Sequence, residues 1–182
     1  MEYACREVLI KNGKMCVIRR AEEADAEALL ELMRTVAGET TNMVLEPGEI
    51  TTTVEREREI LRANCEADRS LVLLAFVEGK LAGTCNFGPA GKRNRTLHRC
   101  AAAVSVCRAS WGLGIGTALL GEVLDAAKAA GYEQMELEVV STNAPAVGLY
   151  KKLGFQVMGT MPHTMKYRDG TYEDFLFMVK YL

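Results

Sequence analysis

The sequence predicts a mixed α/β fold: one mixed, mostly antiparallel sheet of about seven strands with about four helices on its faces. Three observations support this prediction. Apolar residues make up 49% of the 182 residues, enough for an ordinary core. Strand-length apolar runs alternate with longer segments in which apolar residues recur at helical spacing. Neighbouring strands come early in the chain, as in hairpins, whereas later strands are separated by helices, as in crossovers.

The first predicted elements are a strand at residues 14–19 and a helix at residues 22–36. The helix is predicted from an apolar stripe formed by Ala24, Ala28, Leu29, Leu32, Met33 and Val36. Residues 39–50 read as irregular and contain the turn pair Pro47 and Gly48. Three threonines follow, and they can cap a second helix over residues 55–67, whose charged residues would face solvent.

The next segment predicts a hairpin, because apolar runs at residues 70–77 and 81–87 flank a turn that contains Gly79. The later elements, in chain order, are a strand at 96–107, a helix at 114–130 stopped by Gly131, a strand at 134–140, a helix at 144–153 stopped by Gly154, and strands at 155–161 and 172–181. No repeat or linker divides them, so residues 1–182 are predicted to form a single domain.

Composition argues against several classes of protein. The net charge is −2 and the isoelectric point is near 5.8, whereas a nucleic-acid-binding protein usually carries a basic surface. No apolar run is long enough to span a bilayer, and no secretory signal is recognisable, so a cytoplasmic protein is expected. The six cysteines form no C-x-x-C pair and only His98 and His163 accompany them, so no metal site is predicted.

The most informative segment joins the strand at 96–107 to the helix at 114–130. Gly112, Gly114 and Gly116 lead directly into that helix. Glycines let backbone N–H groups approach a ligand, and a helix N-terminus adds unpaired donors, so an anion site suited to a pyrophosphate is predicted. A dinucleotide-binding G-x-G-x-x-G motif is excluded because Thr117 and Leu119 stand where its last glycine belongs. A Walker A motif is also absent.

A second segment, residues 137–155, indicates the family to which the glycine-rich segment belongs. Residues 137–155, LEVVSTNAPAVGLYKKLGF, resemble the signature of the GNAT superfamily of N-acetyltransferases: a strand, an Asn, a short helix, Leu-Tyr and then Leu-Gly-Phe. Residues 111–117 resemble that family's pyrophosphate-binding loop. The resemblance extends over roughly residues 77–182. It implies a GNAT-type fold and direct transfer of an acetyl group from acetyl-CoA to a primary amine of a small molecule or peptide.

The resemblance also implies site residues. Tyr150 matches the family's general acid, which protonates the leaving CoA thiolate. Backbone N–H groups at the end of the strand at 96–107, near Val104 and Val106, would polarise the acetyl carbonyl. This strand is expected to splay from the strand at 134–140. The implied cofactor-binding residues are Val104, Ser105, Val106, Trp111, Gly112, Leu113, Gly114, Ile115, Gly116, Thr117, Asn143 and Tyr150. Trp111 departs from the family, which usually has Gln or Arg there, and its role is left open.

The sequence leaves the acceptor and the general base open. Candidates for the base are His98, Glu39, Glu49, Glu136, Glu138 or a water molecule. Glu46 lies with Glu39 and Glu49 in the irregular segment 39–50, which would shape the acceptor pocket. Two alternative functions remain: an N-terminal or ribosomal-protein acetyltransferase, and a non-catalytic acyl-CoA sensor. The expected partner is a small-molecule or peptide amine, without nucleic acid or membrane, and a homodimer is the alternative to a monomer.

Overall fold

The computed structural model describes the whole chain, Met1–Leu182, and confirms the mixed α/β class. The sheet has eight strands, one more than predicted, and four helices pack on it. The strands are β1 Arg6–Leu9, β2 Met15–Arg20, β3 Leu71–Val77, β4 Lys80–Pro89, β5 Arg99–Val106, β6 Gln134–Val140, β7 Gln156–Lys166 and β8 Tyr172–Tyr181. The helices are α1 Ala26–Glu39, α2 Val54–Glu66, α3 Ile115–Ala129 and α4 Ala144–Lys152.

The strand order is β1-β2-β3-β4-β5-β6-β8-β7, and every neighbouring pair is antiparallel except β5 and β6. The two parallel strands pair over three positions only, from Arg99 opposite Gln134 to Ala101 opposite Glu136. Beyond Ala101 they diverge. The sheet therefore opens in its middle, as the family resemblance implies, and the opening positions the candidate site.

The helices bury both faces of the sheet because successive strand residues point to opposite faces. Leu73 belongs to the larger core, a cluster of 23 buried residues that includes the apolar stripe of α3. Its neighbour Leu74 belongs to a smaller cluster with Leu29 of α1 and Leu61 of α2. The five α3 residues of that stripe, Leu119, Leu120, Val123, Leu124 and Ala127, are all buried. None of the four helices is long and apolar enough to cross a membrane.

The predicted boundaries shift where side chains compete with the backbone ladder. The strand predicted from residue 96 begins at Arg99, because Asn94–Thr96 form a 3₁₀ turn in which the Thr96 hydroxyl donates to the Arg93 carbonyl at 2.9 Å. The first helix begins at Ala26, after the 3₁₀ turn Glu23–Asp25. Asp25 accepts two hydrogen bonds from the Arg19 guanidinium, at 2.6 and 2.7 Å, and so ties this turn to β2.

Candidate active site

A cleft of about 780 Å³ lies where β5 and β6 diverge. One wall is β5 from Ala102 onward, and the other comprises Glu138 of β6, Asn143 and the side of α4 that carries Tyr150. The glycine loop and the first turn of α3 close one end. The acceptor side is closed by Val36 of α1 and by Thr40, Asn42, Met43 and Val44 beyond it. All of the sequence-predicted cofactor residues except Leu113 line this cleft.

The edge of β5 that faces the cleft carries free backbone groups. Cys107 N–H donates to the Ala82 carbonyl of β4, so by strand alternation Val106 and Val104 direct their N–H and C=O groups to the opposite edge. Beyond Ala101 that edge has no pairing partner in β6. The Val106 carbonyl accepts from the Trp111 indole. The remaining groups can pair with an extended ligand that continues the sheet, as the pantetheine arm of CoA would.

The glycine loop has the conformation that an anion site requires. Gly112 and Gly114 adopt positive φ angles of +74° and +94°, which L side chains rarely adopt, and Gly114 is the N-cap of α3. No side chain caps this helix, and the N–H groups of its first turn, Ile115, Gly116 and Thr117, have no partner in the chain. Gly116 has a different role, because an added Cβ would lie 3.3 Å from Leu149 Cδ2, so it permits close packing of α3 against α4.

Trp111 closes the end of β5. Its indole Nε1–H donates to the Val106 carbonyl at 2.7 Å, and the side chain is 48% exposed at the cleft. Trp111 thus both anchors the loop to the strand and contributes a wall of the site.

Leu113 does not line the cleft, but its carbonyl accepts a hydrogen bond of 3.1 Å from the Lys11 N–H.

Tyr150 brings a buried phenol to the cleft from α4. The residue is 7% exposed, and its ring packs edge-on against Phe155 with centroids 5.9 Å apart. Burial, with a smaller contribution from the Cys85 thiol, raises the pKa of Tyr150 to about 12, so the hydroxyl keeps its proton at neutral pH. That hydroxyl makes no hydrogen bond within the chain and is not among the fully enclosed polar atoms. It is available to a ligand as a proton donor.

Asn143 combines two roles that the sequence could not separate. Its side-chain oxygen accepts a hydrogen bond of 3.3 Å from the Ala146 N–H and so caps α4. The same residue lines the cleft. Its amide nitrogen remains free to donate to a ligand.

Among the base candidates, Glu138 alone lines the cleft, where it is exposed on β6 beyond the point of divergence. Two of the others are engaged elsewhere: Glu136 is 8% exposed and pairs with Arg99 at 2.6 Å, and Glu39 accepts a hydrogen bond of 2.7 Å from the Arg108 N–H. Glu46 pairs with Arg168, Glu49 accepts from the Glu46 N–H, and His98 lies outside the cleft.

The cleft contains three titratable side chains, Lys11, Glu138 and Tyr150. Lys11 was missed by the sequence analysis. It lies between β1 and β2, in a segment that was not assigned to any element. The pair Asn12 and Gly13 is a recognised hairpin turn signal and could have revealed it.

Comparison with known proteins agrees with this geometry. The model of the Acetyltransferase (GNAT) family matches residues 37–155. The chain is 26% identical over 165 residues to an L-methionine sulfoximine/L-methionine sulfone acetyltransferase of Pseudomonas paraeruginosa, covering 88% of this chain and 91% of that protein. A GNAT-family acetyltransferase from Streptococcus pneumoniae superposes with a TM-score of 0.88 at 32% identity, covering 92% and 99% of the two chains. The structure of yncA from Salmonella typhimurium, solved with its cofactor acetyl-CoA, superposes with a TM-score of 0.81 at 26% identity, covering 92% and 94%.

The chain therefore belongs to the GNAT family of acetyltransferases. It is an acetyl-CoA-dependent N-acetyltransferase, as the resemblance of residues 111–117 and 137–155 implies. The residues present fit this co-substrate. The open edge of β5 can receive an extended amide-bearing arm, and the uncapped first turn of α3 can receive phosphate oxygens.

The glycine loop gives a direct test of cofactor binding. Gly114→Ala is expected to weaken acetyl-CoA binding about tenfold, ~1.4 kcal/mol, measured by calorimetry. An added Cβ at Gly114 meets no protein atom and enters open space at the cleft, where it would crowd the N–H groups of the first turn. The φ of +94° would also strain the loop.

Gly131→Ala is the matched control for that strain. Gly131 has a φ of +78° and equally open surroundings, but it lies at the other end of α3 and outside the cleft. Both variants should lose stability, whereas only Gly114→Ala should lose affinity. Equal affinities for acetyl-CoA in the two variants would remove Gly114 from the binding site.

Proposed function

We propose that this enzyme acetylates the primary amine of a small molecule that binds beside Glu138. The observation that carries the proposal is the placement of one carboxylate and one protonated phenol on the cleft, Glu138 on the diverging strand and Tyr150 on α4. The acceptor side includes the apolar residues Val36, Met43 and Phe175. The relative from Pseudomonas paraeruginosa acts on amino-acid-like small molecules by name, which supports this substrate class.

The residues divide the chemistry as follows. Acetyl-CoA supplies an activated acetyl thioester when bound. Free N–H groups on the cleft edge of β5, at Val104 and Val106, would hold and polarise the carbonyl oxygen. Glu138 would bind the acceptor ammonium and take its proton, directly or through water, and Tyr150 would donate a proton to the departing sulfur. Since none of these roles requires a metal, the scheme uses side chains and backbone alone.

Two measurements on the purified protein test the proposal. Acetyl-CoA at a hundredfold excess over Kd should stabilise the fold by about 2.7 kcal/mol, and NAD or ATP should stabilise it much less. With a panel of amines, amino acids, aminoglycosides and peptides, free CoA should be released in the presence of a small amine. Release with peptides alone would favour an N-terminal acetyltransferase, and binding without release for any amine would favour a sensor.

The finer expectations from the sequence stay predictions. They are a cytoplasmic location, the absence of a nucleic-acid or membrane partner, and a homodimer as the alternative to a monomer. The individual roles of the cofactor-binding residues, including Ser105, Ile115 and Thr117, belong to the same proposal.

A further inference from the structure

The phosphate-binding loop of this chain carries no positive side chain. Residues 109–127 contain neither Lys nor Arg. Trp111 at the start of the loop is uncharged, and its indole N–H donates to the Val106 carbonyl. Arg108 just precedes the loop and does not line the cleft. Its N–H and guanidinium donate to Glu39, and its guanidinium lies 5.5 Å from the centroid of the Trp111 ring. CoA carries a pyrophosphate and a 3′-phosphate, so the loop alone leaves several negative charges without a cation.

A basic residue from a different part of the chain is held next to the loop. Lys11 lies in the turn of the β1–β2 hairpin and is the only basic residue that lines the cleft. Its N–H donates to the Leu113 carbonyl at 3.1 Å, which fixes the turn to the middle of the glycine loop. The preceding residue, Ile10, is 4% exposed and packs in the large core cluster. The base of the Lys11 side chain is therefore held beside the loop by a hydrogen bond and a buried anchor.

We propose that the Lys11 ammonium binds a phosphate group of CoA and supplies the charge that the loop lacks. A Lys ammonium is a compact charge on a flexible stem, so it can follow a phosphate next to the N–H groups of Gly114 and the first turn of α3. The proposal rests on the use of acetyl-CoA by this enzyme. Lys11 itself lies outside the part of the chain that the family model matches, which begins at residue 37.

Lys14, on the same hairpin, provides a matched control. Its ammonium pairs with the Glu78 carboxylate at 2.6 Å, and it does not line the cleft. Lys14→Gln removes the same charge as Lys11→Gln from a position a few residues away. Any effect of net charge on association with an anionic ligand should therefore be equal in the two variants.

The experiment measures equilibrium binding of CoA, dephospho-CoA and pantetheine to the wild-type protein and both variants, with pantetheine followed by competition. Lys11→Gln is expected to weaken CoA binding about three- to tenfold, with a smaller loss at high salt because the contact is partly exposed. Lys11→Arg should retain most of the affinity. Pantetheine, which has no phosphate, should bind all variants alike.

The ligands locate the contact. An equal loss with CoA and dephospho-CoA assigns Lys11 to the pyrophosphate, and a loss with CoA alone assigns it to the 3′-phosphate. Unchanged CoA affinity in Lys11→Gln, an equal loss in Lys14→Gln, or an equal loss with pantetheine would overturn the proposal. Failure of the wild-type protein to bind CoA would instead contradict the proposed function, so the two failures are distinguishable.

Discussion

Tyr150→Phe is expected to lower the turnover number roughly ten- to ten-thousandfold, the range for loss of a general acid or base. The substitution removes one hydroxyl and keeps the ring that packs against Phe155. Acetyl-CoA affinity should change little, and so should stability, because the hydroxyl has no hydrogen-bond partner in the chain whose loss would destabilise the fold. Steady-state kinetics with an identified acceptor, with slow hydrolysis of acetyl-CoA as a substitute, would measure the effect.

Tyr132→Phe is the control for removing a buried hydroxyl. Tyr132 is also buried and packs edge-on against an aromatic ring, that of Phe87, but its hydroxyl donates to the Arg69 carbonyl at 2.9 Å and the residue lies outside the cleft. That variant should lose about 1 kcal/mol of stability and keep its turnover. Near-normal turnover in Tyr150→Phe would make this tyrosine a packing residue and strengthen the sensor interpretation.

The conformation of the glycine loop and the placement of Asn143 and Tyr150 on one helix could be predicted from the sequence because their determinants are local. Positive φ angles at Gly112 and Gly114 and the uncapped start of α3 follow from neighbouring residues, and Asn143 and Tyr150 lie two turns apart on one short helix. Local patterns also predicted the stripe of α3 and its end near Gly131. These parts of the site need no knowledge of how distant segments pair.

The general base could not be chosen from the sequence because its choice depends on strand pairing. Glu136 and Glu138 are two residues apart on β6 and share a face of the sheet. Glu136 lies opposite Ala101, where β5 and β6 still pair, and is covered by Arg99, whereas Glu138 lies beyond the divergence and reaches the cleft. No local signal marks the residue at which two strands, separated by a helix in the chain, stop pairing.

Lys11 was missed for a related reason. β1 is a short edge strand in which only Val8 is half-buried, so its apolar pattern is too weak to predict a strand. Even with the Asn12–Gly13 turn recognised, contact between this hairpin and Leu113 depends on packing across about a hundred residues of chain. Sequence patterns identify elements, but they do not place a hairpin tip against a distant loop.

Glu138→Gln is expected to lower kcat/KM about a hundredfold at pH 7, within the range for loss of a general base. An alkylammonium acceptor has a pKa near 10, so at pH 7 only about one molecule in a thousand is the free amine. Glutamine keeps the shape of the side chain but cannot take the proton. The deficit should therefore shrink as the pH rises towards 10, because solvent then deprotonates the amine. Tyr150 does not obscure this trend, since its pKa of about 12 keeps it protonated throughout.

The pH profile distinguishes proton transfer from simple binding of the acceptor by Glu138. Glu133→Gln, an exposed carboxylate just before β6 and outside the cleft, should match the wild-type profile and controls for the change in net charge. If Glu138→Gln lost the same factor at pH 7 and pH 10, Glu138 would position the amine without accepting its proton. If the pH profile of Glu138→Gln were identical to that of Glu133→Gln, water would be the group that accepts the proton of the amine, because no other carboxylate lines the cleft.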